Sequence, residues 1–398
     1  MKEITEVRLI VDSVIQLWGC FLLGGAGVVS NALNIAVFWR LGFRETANIS
    51  LMLIAVIDCV KCSVSFLYRG YGLAGLFDVV LEVNWTRVTY LLNAHVQNLG
   101  VPMVSVVTMY VTVERCVCMC LPLKVKSILT TKVTVISLIS LITLSGATIS
   151  PICMMYYVTW FYDPIFNQTV AQYMPTDYFI RNIHIVDYIN IIYMCWNSTA
   201  FVVIAICTVI IIVKLQKHAT FRSEHFSNST LKNLSTSPVA AAEKEKSIPR
   251  CDRESNDSSS HEDTSIEHTS AHPRQSKIFK VRRRFQCGRG STLKTRQSDV
   301  HLSKKESRLV KMLLLIILVY CINILPRLAV VLARALEPEF YSTRRYHDMY
   351  LIVFDFIFFL DLLGANSHIL IYLTMSSHYR DIFYLMFTFR CKDTKCLK

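Results

Sequence analysis

Seven apolar runs, near 14–39, 47–68, 88–119, 131–158, 186–214, 308–334 and 348–373, leave this chain few options. A hydrocarbon layer about 30 Å thick takes about 20 apolar residues of helix to cross, and a helix satisfies its backbone groups from within. Each run is long enough. The expected fold is an all-α membrane protein, a seven-transmembrane helix bundle. With 53% apolar residues and a mean hydropathy of +0.40, the 398-residue chain is too apolar for a soluble domain of its size. Residues 1–13 are mixed in charge and offer no small-residue cleavage site, so the first helix is expected to act as the insertion signal.

An odd number of spans puts the two termini on opposite sides. Arg40 and Arg44, then Lys124, Lys126 and Lys132, the segment after 214, and finally Arg380, Arg390, Lys392, Lys395 and Lys398 fall on one side, which the positive-inside rule makes cytoplasmic. The amino terminus is therefore expected outside, with the protein multi-pass in the plasma membrane. The net charge of +13 is spent on these flanks, so no nucleic acid is expected as partner. The sequons at Asn84 and Asn167 fall in the first and second outside loops and are candidate glycosylation sites; those at Asn228, Asn233 and Asn256 fall in the cytosol and should stay bare. No cysteine lies in a clearly extracellular loop, and no obligatory extracellular disulfide is expected.

The expected organisation is 1–13 as extracellular terminus, 14–214 as helices one to five, 215–307 as a disordered third cytoplasmic loop, 308–373 as helices six and seven, and 374–398 as a short amphipathic helix and tail. The loop is rich in Ser, Lys and Glu and low in apolar residues. A passive tether and a regulatory segment are both open readings; the tail after Arg380 offers little Ser or Thr, so modification-based control would use this loop rather than the tail. Cys391 and Cys396 follow the amphipathic segment and are palmitoylation candidates, which would add membrane lipid as a partner.

The third run ends in Glu114-Arg115, followed by Cys116-Val117-Cys118 and then Pro122-Leu123-Lys124-Val125-Lys126. An arginine left in hydrocarbon costs roughly 2.5–3.5 kcal/mol on insertion scales, so the pair must snorkel, pair or serve a function. This stretch resembles the Asp/Glu-Arg-Tyr signature at the inner end of the third helix in rhodopsin-like G-protein-coupled receptors. Its form E-R-C-x-C-x-x-x-P-L-K-V-K is similar to molluscan and nematode receptors of the chemosensory and FMRFamide-peptide type.

The resemblance carries residue roles with it. It makes Glu114, Arg115, Glu306, Pro326 and Tyr372 the G-protein coupling and activation switch, with Pro326 kinking helix six. It makes Asn31 and Asp58 the buried polar residues of the first two helices, with His368 standing where the family has Asn. A mid-membrane carboxylate needs polar groups, water or a cation, so Asp58 is either a polar clamp or a water- or sodium-linked switch. Lys61, one turn on, is placed to pair with Asp58 and compete with an ion. Beyond a sodium ion at Asp58, no cofactor or metal is expected. Helix six has Ile324 where the family has Trp, helix seven lacks the Asn-Pro pair, and helices four and five carry little of the pattern.

Gln97 stands where amine receptors place an Asp, which argues against a biogenic amine. Candidate pocket residues on the outer half are Asn93, Gln97 and Asn98 on helix three and Asp355 and Phe358 on helix seven. The resemblance implies a receptor for an extracellular neuropeptide, FMRFamide-like, or for a waterborne chemical cue, acting on a heterotrimeric G protein. The alternative is a multi-pass solute transporter or channel, which would tend to show internal repeats and interrupted helices. No nucleophile-base or metal-spaced constellation points to an enzyme.

Overall fold

The computed structural model describes residues 2–121, 124–235, 304–337, 339–340 and 344–393. Residues Met1–Ser223 and Val300–Lys398 form one compact unit, and Glu224–Asp299 a second whose described part is helical.

The described residues include seven long helices, α1 Cys20–Leu41, α2 Thr46–Arg69, α3 Val79–Cys120, α4 Thr131–Ile149, α5 Ile185–Ser235, α6 Lys304–Leu336 and α7 His347–Met375, followed by α8, Ser377–Asp393. Among the described residues, six stretches, from Glu6–Leu41 to Val310–Arg334, are long and apolar enough to cross a membrane. The seventh helix, α7, carries Asp348, Asp355 and Asp361 along its length. Its aspartates are matched by Arg8, Gln16 and Arg327, so the polar atoms turn inward to partners. The outer surface is apolar, with Leu22, Val29, Ile136, Ile139, Ile206, Val209, Leu318, Ile322 and Leu370 more than half exposed. Polar inside and apolar outside is the distribution a bilayer demands.

Local chemistry sets the helix ends. Gly42 stops α1 at φ +78°, donating its N–H to Phe38 O at 3.2 Å, as a helix-ending glycine does. Asp78 accepts from Val80 N and Thr130 from Val133 N, which starts α3 and α4 on side-chain caps. Arg380 Nη1 donates to Leu373 O and Thr374 O at 3.1 and 3.0 Å, covering carbonyls that α7 leaves open and turning the chain into α8. One core cluster draws on Phe38 of α1, Leu51 and Ile54 of α2, Val107 and Val111 of α3, Leu138 of α4, Leu313 of α6, Tyr372 of α7 and Tyr379 of α8.

Several boundaries differ from the sequence expectation. The apolar run 131–158 was read as one helix, but α4 ends at Ile149, a single 3₁₀ segment carries the chain to Met154, and Tyr156–Asp163 is a strand, β1. It pairs antiparallel with β2, Gln168–Pro175, in the register Tyr156↔Pro175 to Asp163↔Gln168. Tyr-Tyr-Val-Thr-Trp-Phe-Tyr is aromatic and β-branched, a composition that fits a pleated surface better than a helix. Helix α3 begins at Val79 rather than 88, started by the Asp78 cap, and so takes Asn84 into a helix. Helix α5 runs on to Ser235 where a loop from 215 was expected, and Lys2–Gly19 is helical where 1–13 was read as a plain terminus. Residues 236–303 of the expected loop, including Asn256, lie outside the described residues, and 304–307 already belong to α6.

Candidate functional site

At the α8 end, Glu114 is 2% exposed. Its Oε1 accepts from Arg115 Nη2 at 2.9 Å and from the Thr46 hydroxyl at the start of α2. Neighbours in sequence pair here because the helix ends one turn later, at Cys120, leaving room for the guanidinium to fold back. Among the described residues neither Glu114 Oε2 nor Arg115 Nε finds a partner. Glu306 lies on the first turns of α6, with its side chain outside the described residues. One turn further along α6, Val310 shares a core cluster with Cys116 and Met119 of α3 and Ile211 of α5.

The middle of the bundle holds four charges, Asp58 and Lys61 buried and Arg327 and Asp361 nearly so. Lys61 Nζ stands 3.4 Å from Asp58 Oδ1 and 3.9 Å from Asp361 Oδ2. Arg327 Nη2 donates to the same Asp361 oxygen at 2.7 Å, and its Nη1 donates to Tyr193 OH at 2.7 Å. His368 Nδ1 lies 3.4 Å from Asp58 Oδ2. Two carboxylates and two cations cancel, which is how a low-dielectric interior tolerates any of them. Asp58, Lys61, Tyr320, Asn323, Arg327 and His368 line a cavity of about 40 Å³, the size and polarity that internal water needs. Tyr320 OH and Arg327 Nε face it without a partner among the described residues.

The sequence grouped Asn31 with Asp58 and His368. The structure brings the last two together and sets Asn31 apart. Asn31 Nδ2 donates to Gly27 O at 3.0 Å and Ala365 O at 3.4 Å, and its Oδ1 accepts from Asn34 Nδ2 at 3.4 Å. Asn34 Oδ1 in turn accepts from Tyr379 OH at 2.6 Å, with the ring of Tyr372 5.3 Å from that of Tyr379. This is a clamp joining α1, α7 and α8. Pro326 lies inside α6, one residue before Arg327, and leaves the carbonyl one turn earlier without its helical donor.

The five pocket candidates do not share one cavity. Gln97 Nε2 donates to Lys61 O at 3.1 Å and lies 3.5 Å from Asn93 Oδ1, so this pair faces α2. Asn98 donates to Ala94 O on its own helix. Asp355 Oδ1 accepts from Gln16 Nε2 at 2.6 Å, and Gln16 holds Arg69, whose guanidinium sits 4.3 Å above the Phe358 ring. Arg69, Tyr193, Arg327 and Asp361 were not among the sequence candidates, although charges inside apolar runs are themselves a signal.

The family model for the 7 transmembrane receptor (rhodopsin family) matches residues 88–363, well over half of the chain. The chain belongs to that family. It is a multi-pass membrane receptor of a family that has no enzymatic role and takes an extracellular ligand and a G protein. Within the receptor, the match begins after α2 and ends before His368, so Asp58, Lys61 and His368 lie outside it while Arg115, Arg327 and Asp361 lie inside. No curated protein matches the receptor's sequence.

Proposed function

We propose that this receptor sits in the plasma membrane with its amino terminus and hairpin outside, binds a neuropeptide of the FMRFamide-like class, and activates a heterotrimeric G protein at the α8 end. The observation that carries the coupling half is the Glu114–Arg115 pair: a buried carboxylate holds the arginine at the mouth of the bundle, 13% exposed, where release would present it to a partner. The positive flanks Arg40, Arg44, Lys124 and Lys132 supply the orientation. The peptide half rests on the hairpin. Tyr157, Trp160, Phe161 and Tyr162 are each about half exposed or more on β1 of a two-stranded sheet whose β2 edge is tied to α3 at Ala171, which leaves the β1 edge for a partner. An extended peptide adds to such an edge through its backbone and finds aromatic side chains for its own. A waterborne chemical cue is the second ligand class that the resemblance implies.

In this reading the ligand stabilises one of two conformations of the bundle, and the G protein recognises it through Arg115 and the inner end of α6. Asn93, Gln97, Asn98, Asp355 and Phe358 would contribute through the walls they hold in place rather than as one shared pocket. Arrestin and a receptor kinase would act on the 215–307 segment, and Cys391 and Cys396 would carry palmitate. The side chain of Cys391 and all of Cys396 lie outside the described residues.

The test is nucleotide exchange on a heterotrimeric G protein by purified receptor in lipid, with a peptide library and a set of small water-soluble cues as ligands. Exchange on peptide addition, abolished in Arg115→Ala while ligand binding survives, is the expected result. Solute flux through the same vesicles without exchange would establish a transporter or channel instead.

A further inference from the structure

We infer that Lys61 is the resident cation of the Asp58 site, a tethered ammonium that stands in for a metal ion, so that the receptor takes no sodium there. Asp58 Oδ1 is met by Lys61 at 3.4 Å, while Oδ2 makes no hydrogen bond among the described residues and lies 3.4 Å from His368 Nδ1. Lys61 Nζ also reaches Asp361, and Arg327 neutralises that second carboxylate. The four charges sum to zero, so an added sodium ion would be an uncompensated charge in a buried site. A hard cation takes oxygen ligands, and an ammonium group offers none and repels it.

The packing around the lysine stem points the same way, independently of charge. A Cβ on Gly100 of α3 would lie 2.8 Å from both Cγ and Cδ of Lys61, so this glycine leaves the groove through which the stem passes. Gln97, one turn earlier on α3, donates to Lys61 O at 3.1 Å and fixes the α2 backbone beside the groove. The lysine is 5% exposed and has no route to snorkel. It is built into the bundle.

The test needs neither ligand nor G protein, so its failure is separate from that of the proposed signalling role. Thermal unfolding of the purified receptor is followed in sodium chloride, potassium chloride and N-methylglucamine chloride at equal ionic strength. The receptor should unfold at the same temperature in all three. Lys61→Ala should unfold earlier and gain a sodium-specific rise of several degrees that grows with the logarithm of sodium concentration, the signature of an ion bound to the folded state. Gly100→Ala keeps every charge and displaces the stem, and should show the same gain in smaller degree. A sodium-specific shift in the unaltered receptor overturns the inference even if neither variant folds. So does the absence of sodium response in both variants when both fold.

Discussion

Arg327 on α6 and Asp361 on α7 meet at 2.7 Å, one residue past the helix-six proline on one side and one turn before the Asn31 clamp on the other. Tyr193 of α5 accepts the second guanidinium nitrogen, so three helices converge on one arginine.

Removing one partner of a buried pair leaves the other charge stranded, at a cost of about 3–5 kcal/mol, whereas replacing both with apolar residues of similar volume is close to neutral. Asp361→Asn should lower the unfolding temperature of purified receptor by roughly 10 °C, at about 2–4 °C per kcal/mol, and Arg327→Met, which leaves Lys61 3.9 Å from Asp361, by less. The double variant Arg327→Met/Asp361→Leu should recover most of that loss. A double variant no more stable than the worse single one would contradict the pairing.

Glu306 begins α6 about 30 Å along the helix from Pro326, near the depth at which Arg115 ends α3. The resemblance makes Glu306 the acidic residue that holds Arg115 in the resting state, and it is on that proposed contact that a substitution of Glu306 would act. A charge-assisted contact contributes about 1–3 kcal/mol, and each 1.4 kcal/mol shifts a two-state population about tenfold. Glu306→Ala should therefore raise ligand-independent signalling severalfold at equal surface expression. Basal activity matching the parent would remove Glu306 from the switch.

Of the two sequons expected to be modified, the structure separates one from the other. Asn167 sits exposed in the hairpin turn at φ +52°. Asn84 is inside α3, its Oδ1 accepting from Ala171 N at 2.7 Å. Glycosylation acceptors belong to accessible surface loops. Asn167→Gln should remove the glycosidase-sensitive mass of receptor expressed in eukaryotic cells, and Asn84→Gln should leave it unchanged. The reverse pattern on a gel would count against the hairpin placement.

Tyr379→Phe keeps the ring packed 5.6 Å from Phe38 and deletes the hydroxyl that Asn34 accepts. A buried acceptor left unsatisfied costs about 1–3 kcal/mol, which is a fall of a few degrees in unfolding temperature. Tyr162→Phe, whose hydroxyl donates to exposed Asn167, should change stability by less than about 0.5 kcal/mol. Equal effects from the two substitutions would deny the clamp its role in seating α8.

The helices were legible because hydrocarbon imposes length and apolarity on every span, and the pairing of Asp58 with Lys61 was legible because both lie on one face of one helix. The hairpin was not: a strand of Tyr, Val, Trp and Phe is as apolar as a helix end, and only its β-branched and aromatic bias after Pro151 set it apart. The Arg327–Asp361–Tyr193 junction was visible in the sequence only as isolated charges in apolar runs. Which charge meets which depends on helix rotation, and no local pattern encodes that. Asn31 was drawn into the Asp58 group by resemblance, whereas its amide reaches the α7 backbone at Ala365, a target that carries no side-chain signal.

Gly364 faces Asn323 so closely that a Cβ on the glycine would lie 2.0 Å from the Asn323 amide nitrogen. A larger residue there would have to push the Asn323 side chain aside, so the glycine lets α6 and α7 approach; a tilt of α6 about that contact would make it a fulcrum. From Asn323 the lever arm to Glu306 is about 26 Å and that to Leu336 about 20 Å, at 1.5 Å per residue. A tilt of about 10° would carry the Glu306 end some 4–5 Å one way and the Leu336 end about 3–4 Å the other. Motion on the hairpin side would then reach the α8 side inverted and enlarged, with the gain set by where along the chain one glycine stands.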